Sequence, residues 1–267
     1  MSDKTGKPLK NYQVPKLAGK IRLYFQALLQ VPLYRFGELG NILYTIGKNM
    51  MEGVVLYTMF TMAEDELKVA AMLGVSVKFA YPGISVISSN YTSGFIDHLE
   101  SSLSSLGQIP RLIKAQVGVG CGQALGGLFL FCCFPPVFKW LFCDLSWASY
   151  LLVALYLLHH ICDGSAQILE GRTWFKIIEI SLRNGKCADL SANFWVIYAL
   201  SQNVQLLLGQ FFLWGALLLT SLSPGRLNSI PIMGAVLLGL TLVVIAKFIL
   251  PLAYYNVLFR GHLSYLK

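Results

Sequence analysis

Four long apolar stretches fill the second half of the chain: about Val117 to Cys143, Leu145 to Cys162, Phe194 to Leu222, and Ile230 to Phe259. Each is long enough, or nearly so, to cross a hydrocarbon core of about 30 Å as a helix. Composition agrees, since 55% of the 267 residues are hydrophobic and 13% are charged, against roughly 25% charged in an average soluble domain. The expectation is an all-α integral membrane protein. Its four segments form two C-terminal helical hairpins over residues 116–267, behind a basic region, residues 1–115, of amphipathic and membrane-associated helices.

The hairpin turns are short: a few residues around Asp144, and Ser223-Pro224-Gly225-Arg226, whose Pro-Gly pair signals a turn. Pro135 and Pro136 interrupt the first hairpin, and its second limb is short. Between the hairpins, residues 163–190 carry Arg172, Lys176, Arg183 and Lys186. Positive residues stay on the cytosolic side, so the N-terminus, this middle segment and Arg260 to Lys267 are expected to share that side. No cleavable leader is expected, because the first apolar positions are interleaved with lysines.

Lys16 to Val31 reads as an amphipathic helix. Leu17, Ile21, Tyr24, Phe25, Leu28 and Leu29 fall on one face and Lys16, Lys20, Arg22, Gln26 and Gln30 on the other, with Leu23 breaking the pattern. Such a helix lies in a lipid interface with its cations at anionic head groups, or packs on protein. Arg172, Lys176, Glu179 and Arg183 recur at helical spacing opposite Trp174, Phe175, Ile178 and Leu182, which predicts a second surface-lying helix. Phe95 to Leu106 is a third candidate, without cations and so expected to pack on protein. Gly40 to Ser89 is apolar but broken by Lys48, Glu52, Glu64-Asp65-Glu66, Lys68, Lys78 and Pro82. It reads as two helices partly embedded or packed on the bundle, with crossing as the alternative.

Gly118, Gly122 and Gly126 give one helix face no side chains, a small-xxx-small surface that suits self-association or packing within the chain. Lys247 stands inside the last apolar stretch and suggests either a solute pathway or an interfacial lysine. The interfacial reading is preferred, since a pathway needs a partner carboxylate and no predicted span offers one. His159, His160 and Asp163 superficially resemble an acyltransfer motif but are one residue short of its spacing, and the two histidines read as interfacial anchors. The six cysteines read as reduced, apolar residues, and no metal-ligand run is apparent. The Asn90-Tyr91-Thr92 sequon falls on the non-lumenal side. No nucleotide, dinucleotide or nucleophile motif is present, so no enzymatic activity, cofactor or metal is expected, and no nucleic acid partner.

The run Leu99-Glu100-Ser101-Ser102-Leu103-Ser104-Ser105 leading into Arg111-Leu112, and Ile161-Cys162-Asp163 at the end of an apolar helix, resemble landmarks of the peroxin-11 family of peroxisomal membrane proteins. The amphipathic opening and the glycine-containing span are also similar. The resemblance implies a protein of peroxisomal or glycosomal membranes that inserts helices in the cytosolic leaflet, self-associates and recruits fission machinery; pore activity is also proposed for that family. The resulting expectation is membrane shaping, carried by Lys16, Lys20, Arg22, Phe25 and Leu28 on a phospholipid surface. A channel or transporter for small solutes, or an accessory subunit of a larger membrane complex, are the alternatives.

Overall fold

The computed structural model describes residues 16–62, 65–103, 105–142, 148–183, 190, 193–222 and 230–257. The basic first fifteen residues, the turns around Asp144 and Ser223 to Arg226, and the C-terminal Arg260 to Lys267 lie outside them. The described residues form helices α1 (Leu17–Gln30), α2 (Pro32–Met62), α3 (Asp65–Ser102), α4 (Ser105–Cys133), α5 (Pro135–Phe142), α6 (Ala148–Arg183), α7 (Phe194–Ser221) and α8 (Ile230–Val244). A π-turn, Ile245–Ile249, joins α8 to α9 (Leu250–Val257). No strand occurs among the described residues, and the chain is an all-α membrane protein.

Four segments are long and apolar enough to cross a bilayer: Pro110–Cys133, Tyr150–Ile177, Phe194–Ser221 and Ile230–Ala253. Only 22% of an apolar 18-residue window within α7 is buried inside the fold. The exposed side of α7 carries Trp195, Leu206, Leu207, Phe211, Trp214 and Leu218, the composition of a surface solvated by lipid chains.

The helix at the centre is α2. It packs along both α7 and α8 and touches α4, so the two limbs of the C-terminal pair are held apart with little contact between them. Met51, Val54 and Val55 of α2 meet Phe129, Leu130 and Cys133 of α4, Leu152 and Tyr156 of α6, and Val236 and Val243 of α8 in one core. Close approach explains the geometry: a Cβ on Gly47 would stand 2.5 Å from the Gly239 carbonyl oxygen of α8. The Gly40 to Ser89 region therefore supplies the hub of the bundle through its first half, while α3 packs on α6.

Two expectations are corrected by the continuity of the helices. Residues 163–183 are no separate surface helix: α6 runs unbroken from Ala148 to Arg183, and Asp163, Glu170 and Thr173 on its inner side find hydrogen-bond partners within the protein. Phe95 to Leu106 is likewise divided, with α3 ending at Ser102 and α4 starting at Ser105. Its apolar residues Ile96 and Leu99 nonetheless bury against Leu112 and Leu169, as protein packing requires.

The glycine face is spent inside the chain. A Cβ on Gly126 would stand 2.6 Å from the His159 ring, and one on Gly122 would overlap Cys162, so both glycines let α4 and α6 touch. This corrects their assignment to an oligomer contact, since α6 already covers them. Gly118 has open space around it.

Candidate functional site

A stripe of polar residues descends one side of α2: Glu38, Asn41, Tyr44, Lys48 and Glu52, spaced by three or four residues and hence on one helix face. Glu38, Tyr44 and Glu52 are buried, and Asn41 and Lys48 are half-buried. The stripe meets His159, His160, Asp163 and Glu170 on α6, Gln123 on α4, and Lys247 in the π-turn. Most of these facing residues lie within the membrane-crossing spans, so the polar groups bond one another instead of water.

Lys247 is 5% exposed, and its ammonium stands 3.9 Å from the Glu170 carboxylate. Asn41 Nδ2 donates to the other Glu170 oxygen at 3.1 Å. Two residues C-terminal to the π-turn is Pro251, which has no N–H to give the Lys247 carbonyl, so the regular ladder is broken where the helix widens. The widening places the ammonium 4.2 Å from the centroid of the Tyr44 ring, a cation–π contact. These distances correct the interfacial reading of Lys247: the missing carboxylate is Glu170, hidden in the sequence because it sits in the charged segment between the hairpins, which reads as cytosolic and surface-lying.

On the far side of Tyr44, Lys48 stands 3.8 Å from Asp163, and Gln123 Nε2 donates to Asp163 at 2.7 Å. The Gln123 backbone carbonyl accepts from His159 Nδ1 at 2.9 Å. His160 follows on the same turn, against Tyr81 and Tyr156. At the other end, Glu38 accepts from Tyr24 at 2.8 Å, from Ser201 at 2.6 Å and from Gln205 at 3.2 Å. Burial, followed by the neighbouring Glu38 charge, pushes the Tyr24 phenol up, so it remains a donor.

A cavity of about 60 Å³ opens beside the ion pair, lined by Gly37 and Asn41 of α2, Gly120 and Gln123 of α4, Glu170 and Trp174 of α6, and Lys247, among others. That is room for at least one water, which needs about 10–15 Å³. The apolar walls and a single charged pair make it a place where a small polar species is held by few, specific groups.

The basic helices fit this frame differently from the sequence expectation. On α1, Lys16 and Arg22 are exposed and Lys20 is half-buried, but Tyr24 is buried on Glu38 and Leu23 and Leu28 pack on the core beside it. The stripe Leu17, Ile21, Phe25 and Leu29 remains 66%, 41%, 55% and 72% exposed. Leu23, the apparent break in the pattern, thus belongs to a second apolar face that docks the helix on protein. On α6, Arg172 is half-buried, Lys176 pairs with Glu100 at 3.8 Å, and Trp174 is 3% exposed inside the core with Tyr34. Tyr24, Leu28 and Trp174 are therefore corrected from lipid-facing to protein-facing. The Arg183 side chain lies outside the described residues.

The sequence missed Glu38, Asn41, Gln123 and Glu170; Lys48 stood out only as a break in an apolar stretch, and Asp163 only beside His159 and His160, whose interfacial reading is corrected by their burial inside the bundle. The three-and-four spacing on α2 is the signal that could have found its share of them. The chain matches no family model, no curated protein and no solved structure.

Proposed function

We propose that the protein is a conduit for a small polar solute or ion across the membrane in which it sits. One observation carries the reading: the Lys247–Glu170 pair, inside two membrane-crossing segments, borders a cavity. Ionisable side chains at such depth are expensive to hold and mark solute or proton pathways by default. An ion pair that faces a cavity can open to a passing ion and close behind it, each partner taking the solute's counter-charge in turn.

The test is flux into liposomes containing the purified full chain, read with an entrapped pH dye and by light scattering after a step of urea or potassium chloride. The wild type should exceed empty vesicles for at least one of these. Glu170→Gln should bring that flux to the empty-vesicle level, and Glu170→Gln with Lys247→Gln, which leaves no unpaired charge, should be folded and equally inactive. Wild-type vesicles indistinguishable from empty ones for every solute would overturn the reading.

A second reading is favoured by the exposed stripe of α1. Leu17, Ile21, Phe25 and Leu29 beside Lys16 and Arg22 form a surface suited to the acyl and head-group boundary of one leaflet. The stripe supports a membrane-shaping role; an organelle protein similar to the peroxin-11 family, with cytosolic termini, self-association and fission machinery as partners, is the proposal that the resemblance adds to it. Replacing Phe25 and Leu29 by Glu should leave the chain inserted and folded, because both side chains point outward, while abolishing any tubulation of anionic liposomes by the full chain. Unchanged tubulation would sink this second reading. Leu28→Glu is a poorer test, since it damages the core.

A further inference from the structure

We propose that His159, His160 and Asp163 hold one divalent transition-metal ion with the coordination preferences of zinc. One donor atom from each residue lies within 4.8 Å of the other two, and both histidines are buried. Modest side-chain rotation draws such a trio to the roughly 2.0–2.2 Å ligand distances that zinc takes from imidazole and carboxylate.

The hydrogen bond that His159 makes decides which of its ring nitrogens is left for a metal. The Gln123 backbone carbonyl can only accept, so the His159 proton sits on Nδ1 and the lone pair on Nε2. That Nε2 is buried and has no hydrogen-bond partner among the described residues. A buried acceptor without a donor calls for a physical account, and a cation supplies one. A ligating histidine characteristically donates its other ring N–H to a backbone carbonyl, which sets the tautomer and the ring orientation. Asp163 is oriented in the same manner, with one oxygen taken by Gln123 at 2.7 Å.

Lys48, now 3.8 Å from Asp163, has Glu52 one helical turn further along α2 as an alternative anion when a metal takes the Asp163 oxygen. Two imidazoles in a set of three favour zinc-like ions over calcium or magnesium, which prefer oxygen throughout. The fourth position is left to water or a passing ligand. The site is independent of the conduit reading, because occupancy is measured without flux.

The experiment is a titration of chelator-treated full chain in lipid nanodiscs with cobalt(II) alone, followed by zinc(II). Visible cobalt bands should appear, saturate at one equivalent per chain and vanish on adding zinc. His159→Gln, His160→Gln and Asp163→Asn should each abolish the bands, and Gln123→Leu should weaken binding by roughly ten- to a hundred-fold through loss of Asp163 orientation. His98→Gln, an exposed histidine away from the trio, should bind as the wild type does. Helicity and gel-filtration profile of each variant identify the folded ones. Absence of saturable bands in the folded wild type overturns the site, as do bands that persist in any folded variant of His159 or His160.

Discussion

Lys247→Ala should lower the stability of the protein by about 3–5 kcal/mol, because it leaves the buried Glu170 carboxylate without its counter-ion. Asn41 still donates to Glu170, but one neutral amide does not replace an ammonium in a low-dielectric interior. The Tyr44 ring also loses the nearer of its two cations, at 4.2 Å against 5.8 Å for Lys48, worth about 1 kcal/mol by itself. Thermal melting in detergent reads the effect as a large fall in Tm. The informative partner is Lys247→Met with Glu170→Gln, which removes both charges and keeps the volume. A pair exchanged for neutral residues of similar size is close to neutral in stability, so the double variant should melt near the wild type. Equal losses in the single and double variants would show that packing around Lys247, and not its charge, holds the π-turn in place.

Gly37→Ala is the other severe change. The new Cβ would overlap the indole of Trp174, a ring that is 3% exposed and lies edge-on to Tyr34 at 5.9 Å between centroids. A fused ring has no flexible end to move aside, so α2 and α6 must separate or the indole must leave its rotamer. Overpacking of this kind destabilises by roughly 1–3 kcal/mol, with the upper end expected because the obstructing group is rigid. Trp174→Phe removes the outer ring and should relieve the clash, so the double variant Gly37→Ala with Trp174→Phe should be more stable than the sum of the single changes by about 1 kcal/mol or more. Strictly additive losses in melting experiments would mean that the two residues do not meet. Because Gly37 and Trp174 also line the cavity, any solute flux should fall together with the stability.

Both predictions concern residues whose meaning depends on what lies opposite. Lys247 was visible in the sequence as a charge in an apolar stretch, and Gly122 and Gly126 as a bare face. Neither signal names the partner. Glu170 was out of reach for a particular reason: the density of charge from Asp163 to Lys186 resembles an exposed loop, and hydropathy averages a buried polar face together with a solvated one. Helices over Gly40 to Ser89 were legible, but the same averaging hid the central place of α2, whose apolar faces serve α4, α7 and α8 while its polar stripe meets α1, α6, α7 and the π-turn. For α1 the alternation was legible, but the protein-facing side was misjudged, since Leu23 on the supposed polar face is one of the residues that dock it.

The sequence by itself determined that this is an all-α membrane protein with four apolar segments, and it bounded the last two closely, because a bilayer selects long apolar helices by length and transfer energy; the first two lie at Pro110–Cys133 and Tyr150–Ile177, displaced from the stretches that hydropathy outlined. Only the tertiary structure decided that α2 stands at the centre, that α6 is one helix, and that Lys247, Glu170, Asp163, His159 and Glu38 form a single buried belt. The physical reason is that a charge within the membrane is stabilised by its specific partner. In this fold the partners lie far apart along the chain, as Lys247 and Glu170 do, and packing alone brings them together.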